Sequence, residues 1–215
     1  MLNSKKVLFV LAHYDDESFS AGTIKKMINL GIEVSVLIIC GNGDSLSDPR
    51  RDAYLNNWRN IIPQVEIFTL GYFDLSLNSL GNDVRLELAQ SVRDYIYSYA
   101  PDTVITNNSG DIHRDHKFVS DMIRVITRPS QEHNVKKLYE CYVPGSTEYG
   151  EGVNAFTHIV DISNEAPYRD TIIGNYELPD RGMSNQAGAR LSSQYFGMLN
   201  NCAMAEIFKP IYTRS

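Results

Sequence analysis

The chain has 215 residues, of which 43% are hydrophobic and 21% charged. That balance is ordinary for a soluble globular protein, and the length suits one good core, expected as a single domain over residues 1–215. A formal net charge of −6 argues against a broad phosphate-binding surface, and so against nucleic acid as a partner.

In chain order, residues 7–11 form a continuous apolar run, the pattern of a strand buried on both faces. Residues 18–30 show helical spacing through Ile24, Met27 and Ile28, with Gly31 as a stop. A second buried strand covers 34–40 and ends at Gly41-Asn42-Gly43; a helix over 50–61 is closed by Pro63. A third strand at 65–70, a long helix at 84–99 before Pro101, a short strand at 103–106 and a helix at 116–126 follow. Alternating strands and helices with short connections predict an α/β fold, a mostly parallel sheet with right-handed crossovers and helices on both faces. The last third is less regular. Strands are expected at 138–143 and 156–162, helices at 165–176 and 186–204, and long loops at 145–152 and 178–185.

The three cysteines, Cys40, Cys141 and Cys202, form no CxxC pair, and an odd number argues against a complete disulfide framework. Cys40 and Cys141 sit in apolar runs and read as buried thiols. Lys5 and Lys6 precede only a short apolar stretch that ends in charged residues, unlike a signal peptide. No segment approaches the ~20 apolar residues of a membrane span. The expected setting is cytoplasmic.

Two stretches carry the chemistry: Ala12-His13-Tyr14-Asp15-Asp16-Glu17, and Gly110-Asp111-Ile112-His113-Arg114-Asp115-His116. Each follows a predicted parallel strand, where loops converge on one crevice. His13, Asp16 and His116 form a nitrogen and oxygen donor set suited to zinc or another divalent metal, and three protein ligands leave a position for water. Asp15, adjacent and pointing elsewhere, is the natural general base. His113 would lie near the metal without binding it; as a cation it would stabilise an oxyanion or protonate a leaving amine, with Asp115 holding its ring. Taken singly, each stretch also reads as a polar helix start. His133 and His158 lack carboxylate company and read as structural.

His-x-Asp-Asp-Glu after the first strand and Gly-Asp-x-His-x-Asp-His after the fourth resemble the LmbE-like, or PIG-L, zinc-dependent deacetylases. Asn107, Asp161-Ile162 and Ala205-Glu206-Ile207-Phe208 resemble further family features in the right order. The resemblance implies a Rossmann-like three-layer fold, zinc on His13, Asp16 and His116, Asp15 as base and His113 as electrostatic assistant. It also implies removal of acetyl from an N-acetylated amino sugar or its conjugate, a hydrolysis of a linear C–N bond. The family usually has proline where this chain has Tyr14 and Arg114. Either both face solvent or packing, or both turn to the cleft and bind substrate, Arg114 through a carboxylate or phosphate. Tyr72, Tyr149, Arg181 and Arg190 are further cleft candidates by their place in or beside loops. An amidase acting on a thiol conjugate or other non-sugar amide would use the same residues, and a catalytically silent metal-binding domain is the non-enzymatic alternative. Association into a homo-oligomer stays open.

Overall fold

The computed structural model describes residues 1–41, 49–129, 132–150, 152–176 and 185–214. Seven strands form one sheet: β1 (Lys6–His13), β2 (Glu33–Cys40), β3 (Glu66–Thr69), β4 (Thr103–Thr106), β5 (Lys137–Cys141), β6 (His158–Asp161) and β7 (Ala205–Thr213). Their order is β3-β2-β1-β4-β5-β7-β6. The first five pair in parallel, and β7 runs antiparallel between β5 and β6.

Alternation along β1 explains its unbroken apolar run. Val7, Phe9 and Leu11 face one layer, packing with Ile24 and Met27 of α1 (Ala21–Asn29) and Ile172 of α5 (Ala166–Asn175). Leu8, Val10 and Ala12 face the other, with Val92 of α3 (Asn82–Tyr99) and Val119 and Ile123 of α4 (Arg114–Ile126). Side chains on successive strand residues point to opposite faces, so a strand covered on both sides needs apolar residues throughout. The result is the expected three-layer α/β sandwich. Among the described residues, no helix is long and apolar enough to cross a membrane.

Several boundaries moved, each for a local reason. The expected helix at 18–30 begins as a 3-10 turn, Asp16–Ser20, and becomes α1 only at Ala21. Gly31 ends it with φ +77°, a conformation glycine adopts without steric cost. The helix expected at 50–61 is α2 (Pro49–Asn56) continued by a π turn, Asn57–Ile61, where the Asn57 side chain donates to Ile172 O at 3.0 Å. The expected strand end at Asn42 and Gly43, and most of the 178–185 loop, fall outside the described residues.

The larger correction is at the C-terminus. Helix α6 (Gln186–Leu199) stops five residues short of the expected end, and a nine-residue strand, β7, follows. Pro210 hid it, since proline inside a run argues against an interior strand. In the sheet Pro210 pairs with Tyr139 at a register shift, where the ladder is already interrupted and its missing N–H costs little.

Strand β7 also carries Glu206, which accepts from the backbone N–H groups of Gly22 (3.0 Å) and Thr23 (2.8 Å) in the first turn of α1. Arg169 of α5, only 2% exposed, sits 3.1 Å from the same carboxylate. Arg169→Met is expected to cost about 3–5 kcal/mol, because it strands a buried carboxylate without its counter-charge. Urea unfolding would measure it; a loss well under 1 kcal/mol would show that the helix N–H groups satisfy Glu206 alone.

Candidate metal and catalytic site

The sheet order reverses between β1 and β4, and the crevice outside their C-terminal ends is where an open parallel sheet binds ligands. His13 is the last residue of β1. Two residues on, Asp15 adopts φ +92°, a left-handed conformation that costs a residue with a Cβ on the order of 1–3 kcal/mol. The turn is held by its neighbours. Ser18 donates from its N–H (3.0 Å) and hydroxyl (2.6 Å) to Asp15 O, and Asp15 N–H donates to Glu17 Oε2 at 3.1 Å. Glu17 is wholly buried and also accepts from Trp58 Nε1 and the Tyr176 hydroxyl. Burial pushes its carboxyl up to about 8, against the pull of those donors.

Asp16 stands between two imidazoles. Its Oδ1 is 3.3 Å from His116 Nε2 and its Oδ2 is 3.7 Å from His13 Nδ1. Asn107, just beyond β4, orients it: the amide donates to Asp16 Oδ2 at 2.9 Å and accepts from Ala12 N–H at 2.8 Å. Burial opposes ionisation of Asp16, but the two imidazoles and Asn107 outweigh it and hold the carboxyl well below its usual range. His116 turns its Nδ1 to Asp111 Oδ2, 3.0 Å away. With Nδ1 turned to Asp111, Nε2 is the nitrogen that faces Asp16.

Asp111 is in turn held by the segment after β5. The hydroxyls of Ser146 (2.8 Å) and Thr147 (3.0 Å) both donate to its Oδ2. That segment approaches closely through Gly150, where an added Cβ would fall 1.8 Å from Gly110 O. Gly150→Ala must therefore push the segment off the Asp111 loop. A loss of metal affinity of about 10–100-fold is expected, as for other outer partners of a metal ligand. Competition against a chromogenic chelator measures it, and unchanged affinity would mean that Ser146 and Thr147 do not support the site.

The three imidazoles of His13, His113 and His116 converge, with ring centroids 4.6–5.3 Å apart. Two expectations need correcting here. Asp115 does not hold His113; its Oδ2 lies 3.1 Å from His13 Nε2 and accepts from Leu75 N–H at 2.7 Å. His113, the residue before α4, has a buried Nδ1 without a hydrogen-bond partner, and burial together with the other two imidazoles lowers its pKa. The shift opposes the cationic form expected of it.

Two residues near the cluster had no place in the reading from sequence. Asp74, in the loop after β3, puts Oδ1 3.1 Å from His13 Nε2 and Oδ2 3.2 Å from an Arg50 nitrogen. Arg50 also approaches Asp15, at 3.9 Å. Asp74 was discoverable, being a carboxylate shortly after a predicted parallel strand, the criterion that singled out His13. Arg50 gave no such signal, because its relation to the site is wholly tertiary.

The remaining candidates do not join the cluster. Tyr14 is 2% exposed and packs against Tyr54, ring to ring at 4.9 Å; successive residues alternate in direction, so with His13 at the crevice Tyr14 turns into the core. Arg114 is exposed at the start of α4. Tyr72 is half-buried against the α3 layer, and Arg190 pairs with Asp170 of α5 at 3.0 Å. Arg181 lies outside the described residues. Tyr149 is 70% exposed beside the segment that clasps Asp111. Cys40 and Cys141 are buried and free, as expected, and Cys202 is free.

Nitrogen and carboxylate donors of this kind suit a divalent ion, and Asp16 presents one oxygen to each neighbour, Oδ1 to His116 at 3.3 Å and Oδ2 to His13 at 3.7 Å. One donor nitrogen from each of the three histidines lies within 4.8 Å of the others.

A profile of the PIG-L family, described as GlcNAc-PI de-N-acetylase, matches residues 8–127. No curated protein sequence matches the chain. Among solved structures, N,N'-diacetylchitobiose deacetylase from Pyrococcus horikoshii superposes with a TM-score of 0.73 at 19% identity, covering 98% of this chain and 85% of that one. The conserved protein TT1542 from Thermus thermophilus gives 0.75 at 19% identity, with 97% and 96% covered. GalB, the 4-carboxy-2-hydroxymuconate hydratase of Pseudomonas putida KT2440, gives 0.76 at 16% identity, with 98% of each covered. At such identities these superpositions establish the shared fold. The family match, which spans both motifs and more than half of the chain, establishes more: this protein belongs to the PIG-L family and is an enzyme of the deacetylase class.

Proposed function

We propose that the enzyme hydrolyses the N-acetyl amide of an amino sugar or its conjugate, with zinc or a similar divalent metal held by His13, Asp16 and His116. The observation that carries this reading is the convergence of those three donors at the β1–β4 crevice with Asp15 beside them on a strained turn. Backbone strain of that kind persists where the surrounding structure enforces it, and it gathers at functional sites. A bound divalent ion supplies Lewis acidity there, polarising the acyl carbonyl and acidifying water.

The protein's own groups do the rest. Asp15 takes a proton from the attacking water and returns it to the departing amine nitrogen. His113, with 29% of its side chain exposed, donates a hydrogen bond to the oxyanion that develops on the acetyl oxygen. Asp111 holds the His116 ring, and Arg50 ties Asp15 to Asp74. Ile112 (52%) and Tyr149 (70%) are exposed beside these groups, apolar surfaces that suit the carbon face of a sugar ring. The sugar reading also draws on the family description and on the Pyrococcus horikoshii deacetylase.

The test joins metal content to turnover. Bound metal is quantified, and acetate release is assayed across a panel of N-acetylated sugars with His116→Ala as control. About one metal per chain, with acetate release lost in the variant, would support the proposal. Metal without acetate release would redirect the search to thiol-conjugate and other larger amides. Failure to bind metal under any loading would overturn it.

A further inference from the structure

His13 has two ring nitrogens, and the proposed function uses only the side that faces Asp16. The other side meets a second set of donors. Nε2 lies 3.1 Å from Asp115 Oδ2 and 3.1 Å from Asp74 Oδ1. The Cys40 sulfur, at the end of β2, is 3.9 Å from the same Asp115 oxygen. Donor atoms of His13, Cys40 and Asp115 all lie within 4.8 Å of one another. The spacings bracket the tetrahedral edge of about 3.3–3.6 Å expected of mixed nitrogen, oxygen and sulfur ligands.

A second observation points to a ligand. Asp115 is wholly buried, yet its Oδ1 has no hydrogen-bond partner. An ionised carboxylate left half-satisfied in the interior is costly, and a cation bound to the carboxylate at Oδ2, the oxygen that faces His13 and Cys40, would offset that cost. Asp74 is the solvent-facing member, with 32% of its side chain exposed, and gives an ion a way in.

We infer that Cys40, His13, Asp115 and Asp74 form a second metal site, distinct from the His13–Asp16–His116 site and selective for thiophilic divalent ions such as zinc, cadmium or cobalt. Sulfur sets the selectivity, since thiolate favours the softer ions over magnesium or calcium. Binding displaces one proton from the Cys40 thiol and one from His13 Nε2, both released to solvent. Occupation draws Asp74 away from Arg50 and makes His13 a shared ligand, so it inhibits turnover. The site goes beyond the proposed reaction but shares His13 with its ligand set, and its effect on turnover rests on that reading.

Cobalt(II) titration of the metal-free protein tests the inference without recourse to activity. A near-ultraviolet thiolate-to-cobalt charge-transfer band is expected as the second equivalent binds. Cys40→Ala and Cys40→Ser should lose the band and still bind one equivalent, whereas Cys202→Ala should keep it. In His116→Ala the band should remain while one equivalent of binding is lost. Inhibition of the wild type by excess zinc should shift to concentrations at least about tenfold higher in Cys40→Ala, the loss that even an outer partner of a metal produces.

Absence of the band at every loading, or its survival in both Cys40 variants, overturns the second site and leaves the first untouched. A band that saturates with a single equivalent, and no further binding, overturns the second site together with the ligand set proposed for catalysis.

Discussion

Asp15→Asn is expected to lower turnover by about 10²–10⁴-fold, the usual worth of a positioned general base, while metal content stays unchanged. Asparagine is the informative replacement for a structural reason. Asp15 sits at φ +92°, where asparagine is tolerated far better than other residues carrying a Cβ. Asp15→Ala would add strain in the turn to the loss of the carboxylate, and the two effects would be inseparable in the rate. The amide keeps the side chain's shape and removes its basicity. Arg50, 3.9 Å from Asp15, keeps its closer partner Asp74 at 3.2 Å, so the crevice is not left with a free cation. Steady-state rates and metal analysis on the same preparation decide the matter. Near-normal turnover with metal retained would remove Asp15 from the role of base and turn attention to Asp74 or His113.

His116→Ala is expected to abolish turnover together with binding of the metal at the His13–Asp16–His116 site, and also to destabilise the metal-free protein by about 3–5 kcal/mol. The ring lies between Asp16 at 3.3 Å and Asp111 at 3.0 Å, and all three side chains are buried. Burial alone would lower the pKa of His116, but the two carboxylates outweigh it and raise it to about 9. A raised folded pKa means that folding favours the protonated ring. Its contribution is full below the ordinary value of 6.5 and is lost as the pH climbs through about 9. The metal-free wild type should therefore lose stability from neutral pH toward 9, and His116→Ala should lack that slope. Urea unfolding at a series of pH values, with chelator present, reads it directly. A flat profile in the wild type would show that the imidazole is already neutral when metal is absent. His116→Gln preserves more volume and keeps the comparison available if the alanine variant does not fold.

Much of the fold was legible because a doubly covered parallel sheet writes itself into sequence as long apolar runs. Residues 7–11 and 34–40 read as strands for that reason, and both are central. Strand β7 was not legible. Pro210 is compatible with the sheet only because the register shifts opposite it, and a register shift belongs to a pair of strands rather than to one. The turn before α1 is similar: helical spacing begins at Ser18, but the helix waits until Ala21, where Glu206, 184 residues away from Gly22, satisfies its first N–H groups.

The same division runs through the site. By itself the sequence determined that imidazoles and carboxylates crowd after β1 and β4, a local pattern with a local cause. Only the tertiary structure decided who faces whom. Asp115, adjacent to His116 in the chain, turns to His13; Asp111, within the same motif, takes the His116 ring; Arg50 arrives from the start of α2 and Asp74 from the loop after β3; and Tyr14, inside the first motif, turns into the core. Strand ends place backbones, and periodicity is enough to find them. Side-chain partners at the crevice depend on how separate segments of the chain meet over it, which no spacing within one segment encodes.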